Sequence, residues 1–183
     1  MKKILFAKVL VVFLTLLGFH QNASSQTEVI DKGHMILNVG IGAGNYISHP
    51  GYSVKLFPFV ASLEYGIVDM FDSRGGIGIG GYTSYTLFGA KDKNRLNQKV
   101  SDLIVGVRGM FHYQFVEKLD TYAGVMLGYD VVSFNHPDST LSGSTFRPGI
   151  FAGVRYYITN NFGVFAELGY NTAPLELGVC YEF

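Results

Sequence analysis

The chain has one cysteine, no tryptophan and only five prolines in 183 residues, and charged side chains make up just 15% of it. A single cysteine excludes an internal disulfide and any cysteine-rich zinc site. Fourteen basic and fourteen acidic residues cancel, so no excess of positive charge points to nucleic acid. The scarcity of charge, set against 48% hydrophobic residues, argues against a disordered chain, because enough apolar surface is available to bury. Helix-forming runs are scarce too, which speaks against an intracellular α/β enzyme. No spacing of His, Cys and carboxylates suggests a metal site, and nothing calls for a cofactor. What is abundant is glycine, 23 residues, with 15 phenylalanines and 12 tyrosines.

The one continuous apolar run lies near the N-terminus. Lys2, Lys3 and Lys8 precede an apolar stretch over residues 9–19, and Asn22, Ala23, Ser24, Ser25 and Gln26 follow it. Charged start, short apolar middle and small-residue end are the parts of a secretory signal peptide. The run is too short for a membrane-spanning helix, which needs about 20 residues. Cleavage after Ser25 is expected, giving a signal peptide over 1–25 and one domain over 26–183. Cleavage would remove three lysines and no acids, leaving eleven basic residues against fourteen acidic, a net charge of −3.

The remainder alternates with a period of two. Met35, Leu37, Val39, Ile41 and Ala43 are apolar, while the alternate set Ile36, Asn38, Gly40, Gly42 and Gly44 is mostly small or polar. Such alternation places the two sets on opposite faces of a strand. The pattern recurs from Phe57, Ile77, Leu103, Ala123, Ile150, Phe162 and Leu175 onward, which makes eight strands. Turns are expected around 68–75, 117–120 and 159–161. Longer polar connections are expected at 45–55, 90–100 and 135–144, and a short one at 171–173.

Charge decides which face meets which solvent. Glu64, Arg108, Asp130, Arg155, Glu167, Glu176 and Glu182 all fall in the non-apolar set, and the apolar set contains no charge. The same non-apolar set holds most of the strand glycines. A bare, glycine-lined exterior makes little sense in water, whereas small residues beside a few long polar ones suit the interior of a narrow barrel. On the apolar face, aromatic residues gather at the strand ends with aliphatic residues between them. Two aromatic girdles around an aliphatic band mark a transmembrane β-barrel. The expected fold is therefore all-β, an eight-stranded antiparallel transmembrane β-barrel. Its long loops face outward and its short turns face the periplasm.

The stretch Asn161-Phe162-Gly163-Val164-Phe165-Ala166-Glu167-Leu168-Gly169-Tyr170 and the ending Gly178-Val179-Cys180-Tyr181-Glu182-Phe183 resemble the closing strands of small bacterial outer-membrane β-barrel proteins. The likeness is to the porin-like, OmpX/OmpA-barrel type, and particularly to such proteins from Bacteroidetes. The resemblance covers residues 34–183 and specifies fold far better than activity. It implies residence in the bacterial outer membrane after Sec-type export, among outer-membrane lipids and lipopolysaccharide. It also implies that Tyr181 and Phe183 belong to a C-terminal signal read by the barrel-assembly machinery.

Several residues invite sharper readings. Gly76, Gly78 and Gly81 match G-x-G-x-x-G as text, but strand rather than helix follows, so no phosphate site is expected. His112, with no serine two residues on, and the loop run His136-Pro137-Asp138-Ser139 supply residue types used in acyl-chain chemistry. Adjacent loop residues cannot converge as a triad does. The inward charges read as a structural network plugging the lumen, with a passive pore as the alternative. Cys180 reads as an inert small hydrophobe. Lys91, Lys93, Arg95 and Lys99 form a basic outer loop suited to lipopolysaccharide phosphates or another acidic surface ligand. The expected function is a non-enzymatic envelope protein with a structural or surface-binding role. A small pore and a lipid A-modifying enzyme are the alternatives. On facing alone, Arg108→Leu should leave insertion largely intact.

Overall fold

The computed structural model describes residues 32–71, 74–92, 98–136 and 139–183, the side chains of 135–141 aside. The expected signal peptide lies outside the described residues. Eight strands follow one another in chain order. They are β1 (Met35–Ala43), β2 (Tyr52–Met70), β3 (Gly75–Ala90), β4 (Lys99–Val116), β5 (Leu119–His136), β6 (Ser139–Tyr157), β7 (Phe162–Gly169) and β8 (Leu175–Glu182). Every strand pairs antiparallel with its sequence neighbours, and β1 pairs with β8 to close the ring. This is an eight-stranded antiparallel transmembrane β-barrel. Closure satisfies the backbone of every strand on both sides within the ring, which is the condition for a sheet to stand in hydrocarbon.

The alternation sorts as its chemistry requires. Glu64, Arg108, Asp130, Arg155, Glu167, Glu176 and Glu182 are buried inside the ring. Val107 (60% exposed), Leu127 (54%), Ile150 (65%) and Leu168 (63%) stand on its outer surface. Above this aliphatic belt Tyr85, Tyr129 and Tyr170 point outward, and below it Tyr65, Phe111, Phe115 and Tyr156 do the same. A continuous apolar belt of this kind, rimmed by aromatic residues, is the surface a transmembrane barrel turns to lipid.

The narrow lumen depends on glycine where two strands come closest. Gly40 and Gly178 face each other across the β1–β8 seam. A Cβ at Gly178 would run into the Val39 carbonyl and the Phe165 ring, which fills the space in front of the pair. At the inner turns, Phe71 and Lys118 adopt the left-handed conformation (φ 55° and 64°), unusual for side chains of this size.

The strands are unequal. β2 to β6 have 16 to 19 residues, while β1, β7 and β8 have eight or nine. This corrects two expected connections. Residues 135–136 and 139–144 are strand rather than part of a long loop, because β5 and β6 continue as a ladder from Val131↔Ser144 to His136↔Ser139. Residues 52–55 likewise belong to β2. The turn expected over 117–120 is only Glu117 and Lys118, and Asp120 already points into the lumen. The excess length of β2 to β6 lies at the outer end, so five strands project beyond β7, β8 and β1 on one side.

The facing assignment makes a direct prediction. Val107→Arg puts a charge on the lipid face near mid-bilayer, at a cost of about 2–4 kcal/mol. The expected outcome is loss of the heat-resistant fast-migrating band on gels, or a matching fall in unfolding free energy in vesicles. An unchanged band would reverse the facing.

Candidate functional site: the packed lumen

The inner tier is built on Arg155 of β6. Its Nη2 donates to Glu64 Oε2 of β2 at 2.6 Å, its Nη1 to Asp120 Oδ2 of β5 at 2.9 Å, and its Nε to Asn38 Oδ1 of β1 at 3.1 Å. Register brings Asp120 there, since it pairs with Arg155 across β5–β6. Glu64 comes from the far wall and lies over Gly78, where a Cβ would strike its carboxylate. His112 of β4 completes the tier. Its Nδ1 lies 3.0 Å from Asp120 Oδ2, and its Nε2 makes an ion-pair contact with Glu64 Oε1 at 2.5 Å. The Tyr122 ring stacks on His112 at 5.5 Å and lies under the Arg155 guanidinium at 4.3 Å. Four strands are thus tied through one guanidinium.

The middle tier is built on Arg108 of β4. Its two terminal nitrogens hold both oxygens of Glu167 of β7, at 2.6 and 3.0 Å. The guanidinium is sandwiched between the rings of Tyr82 and Phe151, at 4.1 and 4.0 Å. Such a bidentate, stacked arrangement is one that lysine could not reproduce. Asn171 and Tyr122 add hydrogen bonds to Glu167 at 2.7 and 3.2 Å. Glu176 is register partner to Glu167 across β7–β8, so two inward carboxylates stand side by side. Arg108 compensates the first. The second accepts the Tyr82 hydroxyl at 2.8 Å, and Tyr82 is linked through Thr172 to Ser84 at 2.9 and 2.7 Å.

The outer tier closes the mouth. His49, from the β1–β2 loop, lies 3.0 Å from both oxygens of Asp102 of β4 and edges against Phe88 and Phe134. Arg147 of β6 reaches Asp130 at 3.9 Å and donates twice to the Asn171 carbonyl. Beside this loop lies a recess of about 330 Å³, with Ile47, His49, Tyr52, Phe57 and Lys91 among its walls. Between the tiers, Val60, Ile104, Met110, Met126 and Phe165 pack with Tyr82, Tyr122 and Phe151 into one apolar cluster. The lumen interior is therefore filled by buried side chains drawn from all eight strands, Ile36 of β1 and Cys180 of β8 included.

The structure brings Glu64 and Arg155 together, and Arg108 and Glu167. It gives Asp130 to Arg147, and Glu176 to Tyr82. Sequence reasoning missed Asp102, Asp120, His49 and Arg147. The first two and Arg147 are in phase with the inward set, so extending the alternation past the lipid band would have found them. His49 carried no such signal. His112, a residue type used in acyl-chain chemistry, is held between two carboxylates and stacked on a tyrosine. Pro137 and Asp138 of the rim run lie outside the described residues. So do Lys93 and Arg95. Lys91 is exposed, and Lys99 is exposed as the first residue of β4 rather than in a loop. Lys55 was not foreseen beside them. It lies over Gly89, the register partner of Lys99. At the chain end, Tyr181 packs edge-on against Phe183 at 5.0 Å, and the Phe183 amide donates to the Met35 carbonyl at 2.9 Å.

Fold and lumen together define a closed, side-chain-filled transmembrane barrel. Among solved structures, the chain is similar to Ail, the attachment invasion locus protein of Yersinia pestis, in complex with the heparin analogue sucrose octasulfate. That match has 16% identity over 84% of this chain and 100% of that one, with a TM-score of 0.59. A second structure of Ail matches at 18% identity over the same shares, with a TM-score of 0.56. The N-terminal β-barrel domain of Pseudomonas aeruginosa OprF matches at 19% identity over 83% of this chain and 98% of that one, with a TM-score of 0.49. No protein-family model matches the chain, and no curated protein matches it by sequence.

The ion pair changes the expectation for Arg108. Replacing it by leucine leaves the buried Glu167 carboxylate uncompensated, which costs about 3–5 kcal/mol. Arg108→Leu is therefore expected to lower the urea midpoint of the folded barrel sharply, and Arg108→Leu with Glu167→Leu to recover most of the loss. A double variant no more stable than the single one would refute the pairing.

Proposed function

We propose that the protein is a non-enzymatic component of the bacterial outer membrane. The lumen serves as a structural strut, and the outer end is the face that meets ligands. The observation that carries this reading is the filling of the lumen. Two buried guanidiniums span the interior where a pore would need water, Arg108 held by Glu167 and two aromatic rings and Arg155 by Glu64, Asp120 and the Tyr122 ring. An interior as narrow as that of eight strands is readily closed by side chains. A passive pore is the lesser reading, because conduction would require breaking a bidentate ion pair. Lipid A chemistry has less support, since His112 is committed to Asp120 and Glu64.

Residence in the outer membrane after signal-peptide export is supported by the apolar belt with its aromatic rims and by the likeness in fold to Ail. Lipopolysaccharide is the proposed neighbour of Lys55, Lys91 and Lys99, with Lys93 and Arg95 extending the same basic segment. The barrel-assembly machinery is the proposed reader of Tyr181 and Phe183. β1 begins and β8 ends on the short-turn side, which supports reading that side as periplasmic.

Two measurements test this. Protein purified from membranes of cells expressing the full chain should give no steady ion current in a planar bilayer. A current that changes when Arg108 or Glu167 is neutralised would make the lumen a pore. Deleting Phe183 should lower the amount of assembled protein in the outer membrane, and normal levels of the truncated chain would refute the assembly reading.

A further inference from the structure

The outer mouth of the barrel is covered by the β1–β2 connection, residues 44–51. Glycines in the left-handed region stand at both its ends, Gly44 (φ 84°) and Gly51 (φ 83°). Glycine reaches that conformation at no steric cost, so the chain can turn sharply there. Between the two the segment folds inward. The Asn45 side-chain oxygen accepts the Ile47 amide at 2.9 Å, and Ile47 packs against the apolar cluster of the lumen. The Tyr46 amide donates to the Thr172 carbonyl at 3.2 Å, and its ring lies 4.7 Å from that of Tyr170. The Lys91 amide donates to the Gly51 carbonyl at 2.9 Å. All of these ties are between uncharged groups.

The contact between His49 and Asp102 is of another kind. The His49 Nε2 lies 3.0 Å from both Asp102 oxygens, and its ring edges against Phe88 and Phe134. The His49 side chain is 14% exposed and that of Asp102 1%, so salt and water screen the pair weakly. Other ionisable groups surround it. Asp130 of β5 is within electrostatic reach of both, and Arg147 of β6 is within reach of both carboxylates. Tyr52 of β2 and Lys91, just past β3, line the recess together with His49, and Lys91 is exposed. Arg147 gives its Nε and Nη2 to the Asn171 carbonyl and approaches Asp130 only at 3.9 Å. Asp130 Oδ1 has no hydrogen-bond partner among the described residues. With His49 neutral, two buried carboxylates share one guanidinium. With His49 charged, the tier balances.

Histidine is the side chain that ordinarily changes charge between about pH 5 and 8. Uncharged, His49 can still donate a hydrogen bond to Asp102, but it no longer offsets the charge of a carboxylate held away from water, and such a charge is costly. We propose that residues 44–51 are a pH-responsive lid on the barrel mouth, latched through His49 and Asp102 at acidic pH and released as the pH rises. The ion pair favours the closed lid while His49 holds its proton, and that preference is lost when the proton leaves. Swinging out on Gly44 and Gly51 returns Asp102 to water and uncovers the recess and the seat of Ile47. The latch works alike whichever way the mouth faces, so it stands apart from the reading of the long-strand end as the outer one.

Amide hydrogen exchange tests the lid in the full-chain protein, purified from membranes and held in lipid nanodiscs. Each rate is divided into the intrinsic rate at the same pH, which leaves the protection due to structure. The Tyr46 and Lys91 amides report the lid, and those of Val107 and Leu127 report the barrel wall. Lid protection should fall about fivefold or more between about pH 6 and pH 8.5, while wall protection stays constant. His49→Gln keeps a hydrogen-bond donor without a titratable charge, and should hold the lid at the lower protection at both pH values. Asp102→Asn, which removes the carboxylate, should abolish the difference too. The heat-resistant gel band shows that each variant has folded. Equal lid protection at the two pH values in the unaltered protein overturns the proposal, and needs no variant. So does a pH difference that survives in either folded variant, since the titrating pair then lies elsewhere. A fall of the same size at Val107 and Leu127 also overturns it, because the barrel rather than the lid is then opening.

Discussion

In hydrocarbon an unpaired backbone amide has no water to bond, and this constraint orders the rest of the molecule. It demands a closed ring, so β1 must find β8. It fixes two faces with opposite solvents, lipid outside and a slender interior within. A period-two strand is the only element that can serve both at once. The outer residues are apolar because lipid is there. The inner ones are small, polar or charged beside a few large apolar side chains, because eight strands leave little room and those few fill it.

Once the lumen is closed, its charges must compensate one another. Arg155 and Arg108 each gather their partners from opposite walls, so each bridges the barrel as well as neutralising carboxylates. Buried ion pairs are weak sources of net stability, because desolvation offsets most of the attraction. Their geometry does more for register. A slip of one residue in β4 would turn Arg108 to the lipid and Val107 into the ring of aromatics. The penalty for that is large on both faces, which ties the facing of β4 to a single residue step.

The facing of every strand within the lipid band was readable from residue order, since alternation is sharp wherever the two faces see different solvents. It fades where both faces see water. That is why Ser139-Thr140-Leu141-Ser142-Gly143-Ser144 read as a loop though it is strand, and why Asp102 and Asp120 at the band's margins were not counted. Partner choice was not legible at all. Arg155 and Glu64 lie 91 residues apart, and only barrel curvature decides that they meet while Asp130 turns to Arg147. His49 reaches Asp102 from a loop, where no periodicity constrains a side chain.

The same constraint explains where the barrel stops being a barrel. Beyond the lipid band water can satisfy an amide, so closure is no longer required, and β7, β8 and β1 end. Nothing in that relaxation demands that β2 to β6 continue, yet they do, as a five-stranded sheet whose β2–β3 ladder carries two register shifts there. A projecting sheet has two edges by necessity. One of them carries a bulge, a lysine, a proline and a covering loop, the usual means of keeping strands apart. The other runs on in register with β5, with Arg147 and Pro148 at its base and the uncharged residues 142–146 beyond them. Two edges made by the same event therefore differ in sequence, not in topology.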